Sequence, residues 1–85
     1  MQVSRLAIRF GTNENQIRHT FRHTDRLGLD RGSVVSAIVE DLTRRQPVPP
    51  GSYIAGNAMV GGIMLEYRAF GQSDGSINIG RITGA

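Results

Sequence analysis

Two periods divide this chain. From Gly11 to Arg45 the apolar positions recur at helical spacing, and beyond Pro50 they alternate. In the first part Asn13 is placed to cap a helix, with Gln16 three residues on in a capping-box position. Ile17, Phe21 and Thr24 then mark one face of residues 14 to 26. Asp30 and Ser33 read as the start of a second helix, with Val34, Val35, Ile38, Val39 and Leu42 as its apolar stripe. Glu40 with Arg44 and Asp41 with Arg45 form i,i+4 pairs in the favourable orientation. Pro47, Pro49, Pro50 and Gly51 stop that helix by Gln46, because proline removes backbone donors and fixes φ.

In the second part Ile63, Leu65, Tyr67 and Ala69 alternate with Met64, Glu66, Arg68 and Phe70, which predicts a strand. Gly61-Gly62 before it and Ser73-Asp74-Gly75 after it suit tight turns. Ile77 and Ile79 open a further strand, and Gly80 predicts a bulge, because Ile82 falls out of phase. At the other end Leu6, Ile8 and Phe10 alternate with Arg5, Ala7 and Arg9, which favours a strand over a short helix. The expected fold is α+β: N-terminal helices packed on a small curved antiparallel sheet of three to four strands. Residues 1–85 read as a single domain, helical over about 12–46 and sheet over about 52–83.

Composition narrows what holds that fold together. The chain has 85 residues and no cysteine, so neither disulfides nor thiolate metal ligands are available, and packing with hydrogen bonds must suffice. The formal charge is +3, and all ten basic residues are arginine. A guanidinium stays charged and grips phosphate oxygens with two parallel donors, so an anionic partner, with nucleic acid the commonest kind, follows from the bias. An arginine-rich genome would produce the same bias. No apolar run reaches the roughly 20 residues of a membrane span, and the N-terminus lacks a signal-peptide hydrophobic region. No membrane binding by the domain itself is expected, and delivery outside the producer would fall to a larger protein.

The stretch Ile17-Arg-His-Thr-Phe-Arg-His-Thr-Asp-Arg26 holds both histidines of the chain and three arginines. On a helix His19, Arg22, His23 and Arg26 share one arc, opposite Ile17, Phe21, Thr24 and Gly28. They read as a solvated face, as a metal site or as acid–base machinery. His19 and His23 have ligand spacing, but no cysteine or third histidine completes the sphere, leaving Asp25 or Asp30 as the remaining donors. No metal and no cofactor are therefore expected. Cleavage of RNA through its own 2'-OH fits the residues better. It needs a base for that proton, an acid for the leaving 5'-oxygen and cations for the charge gathering on phosphorus. Histidine, with a reference pKa of about 6.5, serves either proton step, and arginine clamps the phosphate oxygens.

His19-Thr-Phe-Arg-His23 resembles the H-x-F-R motif on the N-terminal helix of many bacterial polymorphic-toxin nuclease tips. Ser73-Asp-Gly-Ser-Ile-Asn-Ile-Gly-Arg-Ile82 is similar to the closing hairpin of the same group. Leu27-Gly-Leu-Asp-Arg31, the helix after it and Leu65-Glu-Tyr-Arg-Ala-Phe70 fall between them in the family's order, so the resemblance spans about residues 15 to 83. The family is the barnase/EndoU/colicin/RelE-like ribonuclease superfold found in C-terminal toxin tips of contact-dependent growth inhibition proteins. The resemblance implies an antibacterial endoribonuclease, metal-independent, often directed at tRNA and neutralised by a tightly bound immunity protein, expected here to be acidic. Such a tip is carried by a larger secreted or cell-surface protein and acts in the target-cell cytoplasm.

Carried onto these residues, the resemblance makes His19 the first candidate acid or base and Arg22 the phosphate stabiliser, with His23 either the second proton carrier or a substrate-positioning residue. Its sheet contributions fall on Tyr67, Arg81 and Thr83 as further catalytic candidates, and on Arg68, which joins Arg18 and Arg26 as RNA-binding candidates. Tyr67 is equally a core candidate, being in phase with Ile63 and Leu65. The absence of lysine departs from relatives that use it for charge stabilisation. The competing expectation is a non-catalytic, arginine-rich nucleic-acid-binding or protein-interaction module, in which Arg18, Arg22 and Arg26 simply track a backbone or meet an acidic partner.

Overall fold

The computed structural model describes residues 7–45 and 48–84. Helix α1 (Glu14–Arg26) starts at Asn13, whose Oδ1 accepts the Gln16 amide at 2.9 Å. The Gln16 side chain turns back onto the amide and hydroxyl of Thr12, at 2.8 and 2.6 Å, so the box closes one residue ahead of the cap. The helix ends with the Gly28 amide on the Asp25 carbonyl and the Leu29 amide on the Thr24 carbonyl, both at 3.0 Å. Gly28 takes φ +73°, the left-handed conformation this ending requires. Asp30 caps helix α2 (Arg31–Arg44) by accepting the Ser33 amide at 3.0 Å. The helix stops at Arg44; Gln46 and Pro47 lie outside the described residues.

Three strands form an antiparallel meander: β2 (Tyr53–Val60), β3 (Ile63–Gly71) and β4 (Ile77–Gly84). Gly61 and Gly62 both have positive φ, as a two-residue hairpin turn demands, and they set the register by pairing Val60 with Ile63. At the next turn Asp74 accepts the Ser76 amide at 2.9 Å. Arg68 pairs with Arg81 and Ala69 with Ile79, which leaves Gly80 as the extra residue of the expected bulge.

The fourth strand corrects the expectation of a wholly antiparallel sheet. The short β1 (Ile8–Arg9) pairs parallel with β4, Ile8 opposite Ile77, giving a mixed sheet in the order β1-β4-β3-β2. Both helices and the β2–β3 hairpin separate β1 from β4, so no tight turn imposes the antiparallel direction. Arg5 and Leu6, expected in the same strand, lie outside the described residues.

Both helices cover one face of the sheet, α1 against β4 and α2 against β2. Phe21, Val34, Ile38 and Leu42 meet Leu65, Tyr67, Ile77, Ile79 and Ile82 there, all buried. Burial of each such side chain is worth about 1.5–3 kcal/mol, which makes this layer the main source of stability in a chain without staples. The opposite face has no covering element among the described residues and leaves Tyr53, Met59, Met64 and Phe70 exposed. Among the described residues no helix is long and apolar enough to cross a membrane.

Candidate active site

Helix α1 is held to the sheet by its Thr20, Phe21 and Thr24 side, with Ile17 half-buried. The Thr20 hydroxyl bonds the Gln16 carbonyl at 2.9 Å and approaches the Ile79 carbonyl of β4 at 3.5 Å. Phe21 stacks on Phe10 with ring centroids 5.5 Å apart. These contacts fix the rotation of the helix. Its opposite arc, with Arg18, His19, Arg22, His23 and Arg26, is therefore exposed.

That arc does not face open water everywhere. His19, Arg22, His23 and Arg26 form one wall of a cleft of about 300 Å3, and Gly80 to Thr83 of β4 form the other. A Cβ added at Gly84 would lie 3.3 Å from His23 Nε2, so the second histidine sits over the end of β4. His19 is the hub. It also borders a depression with Gly11, Gln16, Thr20, Asn78 and Gly80, and another with Asn15, Arg18, Arg22 and Asp25. The β4 side of the cleft is a strand edge, because β1 pairs only with Ile77 and Asn78. Beyond Asn78 that edge has no strand partner among the described residues, so backbone donors and acceptors border the cleft.

Charge in the cleft is one-sided. Arg18, Arg22, Arg26, Arg68 and Arg81 make no ion pair among the described residues. Asp25, the carboxylate bordering the neighbouring depression with His19 and Arg22, is committed elsewhere: Arg31 Nε and Nη2 donate to it at 3.1 and 2.7 Å. The hydrogen bond from Arg31, with the attraction of its charge, holds the Asp25 carboxyl below the usual carboxylate range. The same guanidinium lies 5.0 Å over the Phe21 ring, so Arg31 braces the helix and Asp25 leaves the cleft cations uncompensated. Among the described residues no three His, Asp or Glu side chains gather as a metal site.

The cleft thus brings together His19, Arg22, His23, Arg26, Arg81 and Thr83. Arg18 lies on the outer flank of α1 beside His19. Arg68 projects from the uncovered face of the sheet, where it pairs with Arg81 across the strands. Tyr67 is not in the cleft. Its side chain faces the helices, fully buried, and its hydroxyl donates to Asp41 of α2 at 2.5 Å. The alternation that put Tyr67 in phase with Leu65 turned it to the covered face, away from the polar arc of α1. Asn78 and Gly80, missed in the sequence, border the depressions around His19. The Gly80 bulge was the available signal, since it re-aims Arg81 relative to Ile79. No family model, no curated protein and no solved structure matches this chain.

Proposed function

We propose that the cleft between α1 and β4 is the active site of a metal-independent endoribonuclease. The observation carrying this reading is that both histidines line one cleft with Arg22 and Arg81, cations left without carboxylate partners among the described residues. In the reaction one histidine, neutral, takes the proton of the substrate 2'-OH. The freed oxygen attacks the adjacent phosphorus, a 2',3'-cyclic phosphate forms and the bond to the 5'-oxygen breaks. The other histidine, protonated, gives that oxygen its proton, so the pair exchanges protonation states over one cleavage. Arg22 and Arg81 hold the non-bridging oxygens, whose charge grows in the transition state. Thr83 and the free edge of β4 offer further donors to the same phosphate.

On this reading the domain is an antibacterial toxin tip delivered by a larger secreted or cell-surface protein. It cuts RNA, tRNA first among the candidates, in the target-cell cytoplasm. An acidic immunity protein would neutralise it by seating carboxylates among these arginines and covering His19.

The test is incubation of wild type, His19→Ala and His23→Ala with total bacterial RNA in EDTA, read on a denaturing gel probed for individual tRNAs. Discrete fragments ending in cyclic phosphate from wild type, lost in His19→Ala while the fold persists, are expected. Cleavage at the wild-type rate by both histidine variants would sink the mechanism. Intact RNA in every lane, with salt-sensitive binding that depends on the arginines alone, would favour the non-catalytic binding module.

A further inference from the structure

The uncovered face of the sheet carries an ordered set of side chains outside the core, and Arg81 is the one among them that also lines the histidine cleft. Tyr53, Phe70 and Asn78 are successive cross-strand partners, and so are Ala55, Arg68 and Arg81. Cross-strand partners project to the same face with Cβ atoms about 5 Å apart, so the first set is a row with two aromatic rings and the second a row with two guanidinium groups. Gly80 is the bulged residue between them, and with Ala55 it keeps the centre low. The result is a depression of about 400 Å3 lined by Tyr53, Arg68, Phe70, Asn78, Gly80 and Arg81.

Exposure there is unusual for rings. Tyr53 is 64% and Phe70 44% exposed, and the Arg68 guanidinium stands 6.0 Å over the Tyr53 ring. Neither Arg68 nor Arg81 has an ion-pair partner among the described residues, while Glu66, the carboxylate of this face, belongs to the next row, opposite Asn57 and Thr83. Flat rings beside uncompensated cations suit a ligand with π-faces and negative charge in alternation, which is single-stranded nucleic acid. Arg81 borders both this depression and the histidine cleft, so a phosphate at Arg81 would leave the adjoining base within reach of Phe70 and Tyr53.

We infer that Tyr53 and Phe70 form a stacking platform for an unpaired base of single-stranded RNA, with Arg68 and Arg81 holding the phosphates on either side of it. This deepens the ribonuclease reading and rests on it for the choice of RNA as the single strand. It assigns an unpaired segment as the bound form, because a duplex keeps its bases stacked on one another and offers no free face.

The test uses a 2'-O-methyl oligoribonucleotide, which binds but lacks the attacking hydroxyl, as a single strand and as a duplex. The expected result is about tenfold weaker binding of the single strand by Tyr53→Leu and by Phe70→Leu, near wild-type binding by Tyr53→Phe, and unchanged duplex binding. Met59→Ala, on the same face beyond these rows, should bind as wild type does. The chain has no tryptophan and two tyrosines, and Tyr67 is buried, so quenching of tyrosine emission on saturation reports Tyr53. Unchanged single-strand affinity in both leucine variants, with tyrosine emission unmoved, would overturn the platform; a protein partner on this face would produce that outcome. The probe cannot be cut, so the two proposals fail separately. Probe binding that needs both rings, with natural RNA left intact, would end the ribonuclease reading alone, and normal cleavage with ring-independent binding would end the platform alone.

Discussion

The Tyr67 hydroxyl donates a 2.5 Å hydrogen bond to Oδ2 of Asp41, tying the middle of β3 to the last turns of α2. Arg45 Nε donates to the same oxygen at 2.8 Å, and Arg44 lies 3.6 Å from the other. A carboxylate only 14% exposed is thereby satisfied from three sides. Tyr67→Phe removes one donor and leaves the arginines in place. It should lower stability by about 1–3 kcal/mol in urea titration while RNA cleavage continues at the wild-type rate. Loss of cleavage with the fold intact would mean that Tyr67 acts in the reaction.

The same contact predicts how stability responds to pH. Burial alone would raise the Asp41 pKa, but the bonds from Tyr67 and Arg45 outweigh it and hold the carboxyl below its ordinary value. Its contribution is therefore present above the unfolded value of about 3.9 and is lost as pH falls through the lower folded value. Asp25, bonded to Arg31, and Asp74, bonded to Ser76, shift in the same direction. Denaturation midpoints should drop below about pH 4, and Asp41→Asn should flatten that limb. Tyr67 moves the other way, pushed up by burial and by Asp41, so its share is lost only as pH rises beyond about 10. A midpoint independent of pH between about 2 and 5 would contradict the carboxylate assignments.

Gly56 faces Tyr67 across β2 and β3, and a Cβ there would run into the phenol carbon and hydroxyl of that ring. Gly56→Ala must displace the ring and strain its bond to Asp41. A loss of about 1–3 kcal/mol is expected by chemical denaturation, although alanine is the better strand residue. Equal or higher stability would show that the ring has room to move.

Arg81 belongs to both the histidine cleft and the open-face depression. Arg81→Gln should weaken RNA binding and lower the slope of log affinity against log salt by about one. Arg44→Gln, whose guanidinium lies beside Glu40 and Asp41 on α2, should leave the slope alone. Equal slopes in all three proteins would remove Arg81 from the phosphate path.

Local chemistry was legible from the chain because its causes are local. Asn13 and Asp30 cap the helices they precede, Gly61 and Gly62 make the hairpin turn, and Gly80 bulges, each within a few residues of the signal that announced it. The helical arc holding His19, Arg22, His23 and Arg26 follows from the same short-range geometry. What opposes that arc does not. Alternation states which residues share a face of a strand but not which face the helices will cover. Packing settled that by burying Tyr67 beside α2 and leaving Arg68, Arg81, Tyr53 and Phe70 on the uncovered side. The parallel pairing of β1 with β4, the burial of Thr20 and the meeting of α1 with Gly80 to Thr83 likewise join residues far apart in the chain. The sequence by itself determined the elements and their chemical types; only the tertiary structure decided which elements face one another, because burying apolar surface is a property of the whole assembly of layers.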